Sequence, residues 1–464
     1  MNAVPPFDAE LLRRYDWPGP RYTSYPTAPQ FHRGFREGEF REAARMSNGD
    51  PIPRPLSIYV HVPFCFSPCF YCGCNRVITR DTSRAATYLA RVEREAGLVG
   101  PLFDRDRELI QLHLGGGTPN FMSADQLGEL LGCLDSHFNF SRAADRDFSI
   151  ELDPRFIDAG YIEALAFMGF NRASLGVQDF DPVVQEAVNR VQSVEQTLAV
   201  IDACRANGFS SVNVDLIYGL PAQNLEGFAR TLDTVIGARP DRLAIYSYAH
   251  MPQLFRPQKQ IDEELLPVPE LKLGLLQLAI DKLTEAGYRY IGMDHFALPG
   301  DALSQAQETG SLHRNFMGYT THADSDLIGL GVSAISHIGD SYSQSPRDLP
   351  TWEAAIETGH LPVWRGMEMD ADDLLRADLI QQLMCQGVIS IRQLESRHGI
   401  AFADYFAEDL ERLDALVSDG LVQRDSLQIR ATSRGRLLLR IIAACFDRYL
   451  HLPQAEPARF SKTI

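Results

Sequence analysis

The stretch Leu56-Ser57-Ile58-Tyr59-Val60-His61-Val62, followed at once by Pro63-Phe64-Cys65-Phe66-Ser67-Pro68-Cys69-Phe70-Tyr71-Cys72-Gly73-Cys74, decides how the chain reads. Its first seven residues, rich in Ile, Val and Tyr and ended by a proline, predict a buried strand. Four of the eight cysteines fall in the next dozen residues, on the loop leaving that strand's C-terminal end. In α/β folds this is the end where ligands gather.

The spacings Cys65-x3-Cys69-x2-Cys72 let a short loop turn three thiols toward one metal centre. Structural zinc usually takes two separated Cys or Cys/His pairs, and no second pair follows; bacterial ferredoxin runs use Cys-x2-Cys-x2-Cys. The residues alone leave open a zinc loop or cysteines gathered by chance. Cys74 reads either as a redox or substrate-facing thiol, or as a small buried residue without chemistry.

A chain of 464 residues is long enough for a large core and more than one domain. Its 45% hydrophobic and 23% charged residues are ordinary for a globular protein. No apolar run reaches the length of a membrane span, and residues 1–16 carry proline and charge where a signal peptide has an apolar core, so a cytoplasmic protein is expected. Cys133, Cys204, Cys385 and Cys445 lie in scattered helix-like or apolar surroundings, as reduced buried thiols do. The net charge of −17 argues against broad nucleic-acid binding, and any polyanionic ligand would need a few local arginines and histidines.

From residue 56 to about 249 the chain repeats one unit, a β-rich run followed by a helix-like segment. The strand-like runs begin at Leu56, Leu109, Phe148, Ala173, Ser211 and Leu243; helices are expected over residues 83–99 and, capped by Ser123, up to about 138. Six such units predict a parallel sheet with right-handed crossovers, curled into an incomplete (β/α)6 barrel. Gly115 to Gly117, Glu151, Gln178 and Asp215 stand at strand C-termini, each open to a structural or a ligand-binding reading. Ahead of the barrel, the prolines and aromatics of residues 14–28 exclude a long helix and suggest an extended arm, read on composition as a packing strap. Beyond residue 249 come a helix over 271–286, one strand-like run over 288–297, a polar aromatic loop over 312–320 and a core-closing segment over 326–338. Helices over 372–386, 391–398 and 402–418, a hairpin over 420–430 and a helix over 433–449 suggest a small, mainly helical, winged-helix-like domain with a packing or lid role. The expected divisions are an arm over 1–55, a catalytic domain over 56–369 and a C-terminal domain over 370–464.

The cysteine loop after a strand resembles that of the radical S-adenosylmethionine (SAM) enzymes. More specifically, the chain resembles the oxygen-independent coproporphyrinogen III oxidases over nearly its full length: Pro20-Arg21-Tyr22-Thr23-Ser24-Tyr25-Pro26-Thr27-Ala28, the loop with its final Gly73-Cys74, Gly115 to Pro119, residues 176–180, 215–221 and 292–297, and His313-Arg314-Asn315-Phe316. Generic radical SAM proteins share only the cysteine triplet and the glycine-rich strand end. The resemblance implies a 4Fe-4S cluster on Cys65, Cys69 and Cys72 and two SAM molecules, one near Tyr59, Gly116, Glu151 and Ile335, the other near Tyr71, Gly117, Thr118, Gln178, Arg190, Asp215 and Ala249. It implies an oxidoreductase of haem biosynthesis in which a 5'-deoxyadenosyl radical takes a hydrogen atom from a substrate propionate, which then loses CO2 and an electron to leave a vinyl group. Coproporphyrinogen III as substrate, a reduced flavodoxin- or ferredoxin-like electron donor and a monomeric state follow from it, with Arg21, His313, Arg314 and Cys74 as candidates near the substrate. The alternative is a haem-binding chaperone of the same superfamily, whose members lack the arm and the loop's last cysteine.

Overall fold

A computed structural model describes residues 7–451 and 460. The six expected strands form consecutively: β1 (Leu56–Val62), β2 (Glu108–Gly116), β3 (Asp147–Leu152), β4 (Arg172–Gln178), β5 (Ser211–Tyr218) and β6 (Arg242–Ser247). They lie side by side in chain order, every neighbouring pair parallel. Helices Ser83–Val99, Ala124–His137, Ala159–Phe167, Val194–Ala206 and Leu225–Ala238 carry the chain back between them. The second of these begins at a capping box in which the Ser123 hydroxyl accepts from Gln126 N and the Gln126 side chain accepts from Ser123 N.

Alternation along the strands separates the two faces of the sheet. Ile58, Val60, Val62, Leu112, Leu114, Ile150, Leu175, Val212 and Val214 are all nearly inaccessible and form one core with the helices. The intervening positions are polar: Gln111 and His113, Ser149 and Glu151, Arg172 and Ser174, Ser211, Asn213 and Asp215 line cavities on the barrel's inner side. Parallel strands covered on both faces by helices are apolar throughout. Here the second face is polar and lines the cavities inside the barrel.

The sheet continues past both ends of the six-strand set. Asp326–Leu330 joins β1 in parallel, so residues 326–338 extend the sheet, and Ile335–Ile338, Ser341–Gln344 and Arg365–Glu368 follow antiparallel. On the other edge, the expected single strand over 288–297 is a hairpin, Arg289–Gly292 with His295–Ala297, because the chain turns back at Met293, whose φ is +54°. The barrel therefore stays open. The loop expected over 312–320 is also a hairpin, His313–Asn315 with Gly318–Thr320.

The first fifty residues are not extended throughout, since helices Ala9–Arg14 and Glu37–Asn48 flank the proline-rich segment. That segment straps onto the C-terminal region: Tyr22 Oη donates to Asp447 at 3.0 Å, Arg448 N donates to Tyr25 Oη at 3.1 Å, and Arg440 Nε donates to Pro20 O at 2.9 Å. Leu11, Leu12, Tyr15, Tyr22 and Tyr25 share one core with Leu379, Leu383, Phe406 and Phe446. In that region the hairpin Val422–Arg424 and Gln428–Ala431 gains a third strand, Val388–Ser390, the expected helix over 402–418 breaks at Phe406, and the helix expected over 433–449 is three short pieces. No helix is long and apolar enough to cross a membrane among the described residues.

Candidate active site

The cysteine loop leaves β1 at Pro63 and is seated by the end of β2. A side chain at Gly117 would run into the Pro63 and Phe64 backbone at 2.8 Å, and one at Gly116, whose φ is +111°, would meet the His61 ring at 2.5 Å. Glycine at these positions therefore lets the loop lie against β2. Arg76 ties the loop to itself, donating from Nη1 to Cys72 O at 2.9 Å and from Nη2 to Cys69 O at 3.0 Å.

Cys65, Cys69, Cys72 and Cys74 line a cavity of about 270 Å3 with Tyr71, Gly116, Gly117, Thr118, Glu151, Gln178, Arg190 and Asp215. Each of the three spaced thiols has a donor nearby: Thr118 Oγ1 at 3.4 Å from Cys65 Sγ, Arg190 Nη1 at 3.6 Å from Cys69 Sγ and the Cys74 N–H at 3.4 Å from Cys72 Sγ. Such donors suit sulfur that carries negative charge, as in a thiolate-held cluster. The Cys74 contact pulls the Cys72 thiol down to about 6, whereas burial pushes that of Cys65 up to about 11. Cys74 is exposed on the cavity rim, which removes the reading of a small buried residue.

The polar wall is held by the strands. Glu151 accepts from Gly116 N at 3.0 Å and faces His113 Nε2 at 3.3 Å; burial raises its pKa, but His113 and Gly116 outweigh that and hold the carboxylate below its usual range. Asp215 accepts from Ser174 Oγ at 3.0 Å and Asn213 Nδ2 at 2.8 Å, yet burial, helped by the Glu151 charge, pushes it up to about 6. Burial opposes the Arg190 charge, but Tyr71, Asp153 and Cys69 more than offset it and keep the guanidinium ionised. Among the described residues, three buried atoms here have no partner: Ser67 Oγ, Gln178 Oε1 and Arg190 Nε. An acceptor and a donor left open beside four thiols fit a zwitterionic ligand with amino and carboxylate groups.

The Radical SAM superfamily matches residues 59–235, and the HemN C-terminal domain matches residues 369–438. The oxygen-independent coproporphyrinogen III oxidase of Pseudomonas aeruginosa is 49% identical over 458 residues, 99% of each chain. That of Escherichia coli K12 is 46% identical over 459 residues, 99% of this chain and 98% of the other. A solved structure, coproporphyrinogen III oxidase (HemN) from Escherichia coli, described as a radical SAM enzyme, superposes with a TM-score of 0.91 at 45% identity, covering 97% of this chain and 100% of that one. The chain belongs to the oxygen-independent coproporphyrinogen III oxidase family.

Within this oxidase fold the remaining expected residues fall in three places. Tyr59 lies inside the barrel, stacked on His113 with ring centroids 5.8 Å apart, its hydroxyl 3.0 Å from His61 Nδ1. Ile335 reaches the same side through its backbone, which packs against Gly329, the register partner of Tyr59. Ala249 O and Tyr71 O are joined by the Gln258 amide at 3.2 and 2.9 Å. Arg21 is paired with Asp294 and lies 5.8 Å from the Tyr246 ring centroid, at the edge of the cysteine cavity. His313 and Arg314 line a different cavity, and burial lowers His313 to about 4, so it is neutral near pH 7 and offers no cation. The sequence reading missed Arg76, His61, His113 and Asp153. The two histidines carried a signal: they occupy inward positions in the alternation of β1 and β2.

Proposed function

We propose that this chain carries out the anaerobic oxidative decarboxylation of the ring A and ring B propionates of coproporphyrinogen III to vinyl groups, giving protoporphyrinogen IX. The observation that carries the reading is the meeting of the cysteine loop with Glu151, Gln178, Arg190 and Asp215 around one cavity, in a chain of this family. Cys65, Cys69 and Cys72 would hold a 4Fe-4S cluster. Tyr59, Gly116, Glu151 and Ile335 would surround one SAM, and Tyr71, Gly117, Thr118, Gln178, Arg190, Asp215 and Ala249 a second. When bound, the cluster and SAM supply a radical able to take a hydrogen atom from a propionate side chain.

The chain's own residues bind and orient. Arg190 stays ionised against Asp153, and its open Nε is left to donate to a carboxylate. Asp215 and Gln178 offer oxygen acceptors to ribose hydroxyls or an amino group, and Glu151 gives a fixed negative charge for a cation. Phe66, packed in tilted contact with Phe121 and Phe156 at ring-centroid distances of 4.6 Å, covers the loop side of the cavity and limits water there. A reduced flavodoxin- or ferredoxin-like donor, a monomeric state and a cytoplasmic setting belong to the same reading.

The test is an anaerobic assay of the reconstituted, reduced protein with SAM and coproporphyrinogen III, following protoporphyrinogen and CO2. Formation of both supports the reaction. SAM cleavage without either keeps the radical chemistry and overturns the substrate, and tight haem binding with neither activity favours a haem chaperone.

A further inference from the structure

Five arginines are buried among the described residues: Arg107, Arg190, Arg314, Arg376 and Arg440. Four have acceptors: Asp326 for Arg107, Asp153 for Arg190, Asp409 for Arg376, and the Gly19 and Pro20 carbonyls for Arg440. Among the described residues the Arg314 side chain, in a residue 5% exposed, makes no ion pair or hydrogen bond, and its Nε and Nη1 are buried without a partner. Its guanidinium lies 4.7 Å from the ring centroid of Tyr319, its cross-strand neighbour, and no carboxylate among the described residues pairs with it. A buried cation without a counter-charge costs several kcal/mol, and a fold that keeps one has a use for it.

Arg314 lines a cavity of about 480 Å3, larger than the cysteine cavity. Tyr22 to Tyr25 of the arm, Leu312 to Phe316 of the hairpin, His337 and Tyr342, and the Ala371–Gln386 helix form its walls. Two more donors without partners, Gln381 Nε2 and Gln386 Nε2, belong to the same lining. Of its acids, Asp378 already accepts from Arg397, His398 and Gln382 at 2.7 to 3.1 Å, and Asp324 is exposed beside His313. The cavity is therefore rich in donors and short of acceptors. Residues 22–25 of the arm and residues 313–316 of the hairpin meet here.

We propose that this cavity is a carboxylate-binding site anchored by Arg314, and that its ligand is a propionate of the tetrapyrrole substrate. The proposal rests on the substrate reading above. The cavity shares no lining residue with the cysteine cavity, so the carboxylate held here is not the one that loses CO2. The aromatic walls of Tyr25, Phe316 and Tyr342 accept the flat face of a pyrrole ring, which a small free carboxylate does not use. The site would thus select substrates by a carboxylate that the reaction leaves in place.

The experiment is a fluorescence titration of the full chain, without cluster, with coproporphyrin III, the non-reactive oxidised form of the substrate, for the parent, Arg314→Gln and Arg314→Lys proteins. Arg314→Gln is expected to weaken binding about 10-fold or more, and Arg314→Lys to restore part of it, as a lost charge-assisted hydrogen bond does. Succinate is the small-carboxylate arm: succinate binding that is lost in Arg314→Gln while coproporphyrin III is unaffected overturns the propionate assignment. Should Arg314→Gln not fold, hydrogen exchange on the parent decides. Protection of residues 310–316 and 377–393 by coproporphyrin III supports the site, and its absence overturns it. Equal porphyrin affinity in parent and folded Arg314→Gln overturns the site and leaves the substrate reading standing, whereas a parent that does not bind the porphyrin overturns both.

Discussion

Arg190 holds Nη1 3.6 Å from Cys69 Sγ and 3.3 Å from Asp153 Oδ2, so one guanidinium joins the cysteine loop to the C-terminal end of β3. Nη2 of the same group donates to Gly176 O on β4. A lysine keeps the charge but can satisfy only part of this fork. Arg190→Lys is therefore expected to weaken SAM binding about 10-fold in the reconstituted protein, as read by equilibrium dialysis, with iron content largely kept. Unchanged affinity would remove Arg190 from the SAM site.

The cysteines separate into two groups by position, and iron content should follow that division. Cys69 faces the cavity, whereas Cys204 is fully buried among the helices of the barrel core. Cys69→Ala is expected to lose most of the iron taken up on anaerobic reconstitution, together with SAM cleavage. Cys204→Ala should keep its iron and lose only about 1 kcal/mol of stability, the order of a small core truncation. Equal iron in both variants would contradict the assignment of the loop.

A buried ion pair fixes the strand added beside β1. Asp326 accepts from Arg107 Nη2 at 2.6 Å, from Gly339 N at 3.0 Å and from the Ser47 hydroxyl, with both charged side chains at most 2% exposed. Asp326→Asn leaves Arg107 uncompensated and is expected to cost about 3 kcal/mol or more, read as a fall in the denaturant midpoint. Arg107→Met with Asp326→Leu should recover only part of that loss, because no charge is then left buried alone while Gly339 N and the Ser47 hydroxyl lose their acceptor. A double variant no more stable than the single one would show that packing, and not charge, sets the cost.

The barrel was legible because a β-rich run followed by a helix-like segment repeats six times, and the polar residues at the C-terminal ends of those runs marked one rim. The Cys65 to Cys72 spacing is local, so it could be read without coordinates. What could not be read depends on partners far away in sequence. Val388–Ser390 is too short to signal a strand and forms one only against Gln428–Ala431, and the turn at Met293 interrupts an otherwise continuous strand-like run. The same limit hid the difference between Arg21, which finds Asp294, and Arg314, which finds no acid among the described residues.

Glu95 makes stability depend on pH. It sits 1% exposed on the Ser83–Val99 helix and accepts from Gly331 N at 2.7 Å, with the Trp352 indole nearby, and burial pushes its carboxyl up to about 8 from an unfolded value near 4.5. Between those two values the native state holds a proton that the unfolded chain has released. Stability from this group is therefore complete below about 4.5, falls as pH rises toward about 8, and levels off above. The loss is on the order of a few kcal/mol. Glu95→Gln keeps an acceptor for Gly331 and cannot ionise, so it should melt near the parent at about pH 5 and above it at about pH 8.5. Thermal melts at the two pH values decide the matter: an equal shift at both would mean that the substitution acts through packing, and that Glu95 does not enter the folded protein as a neutral acid.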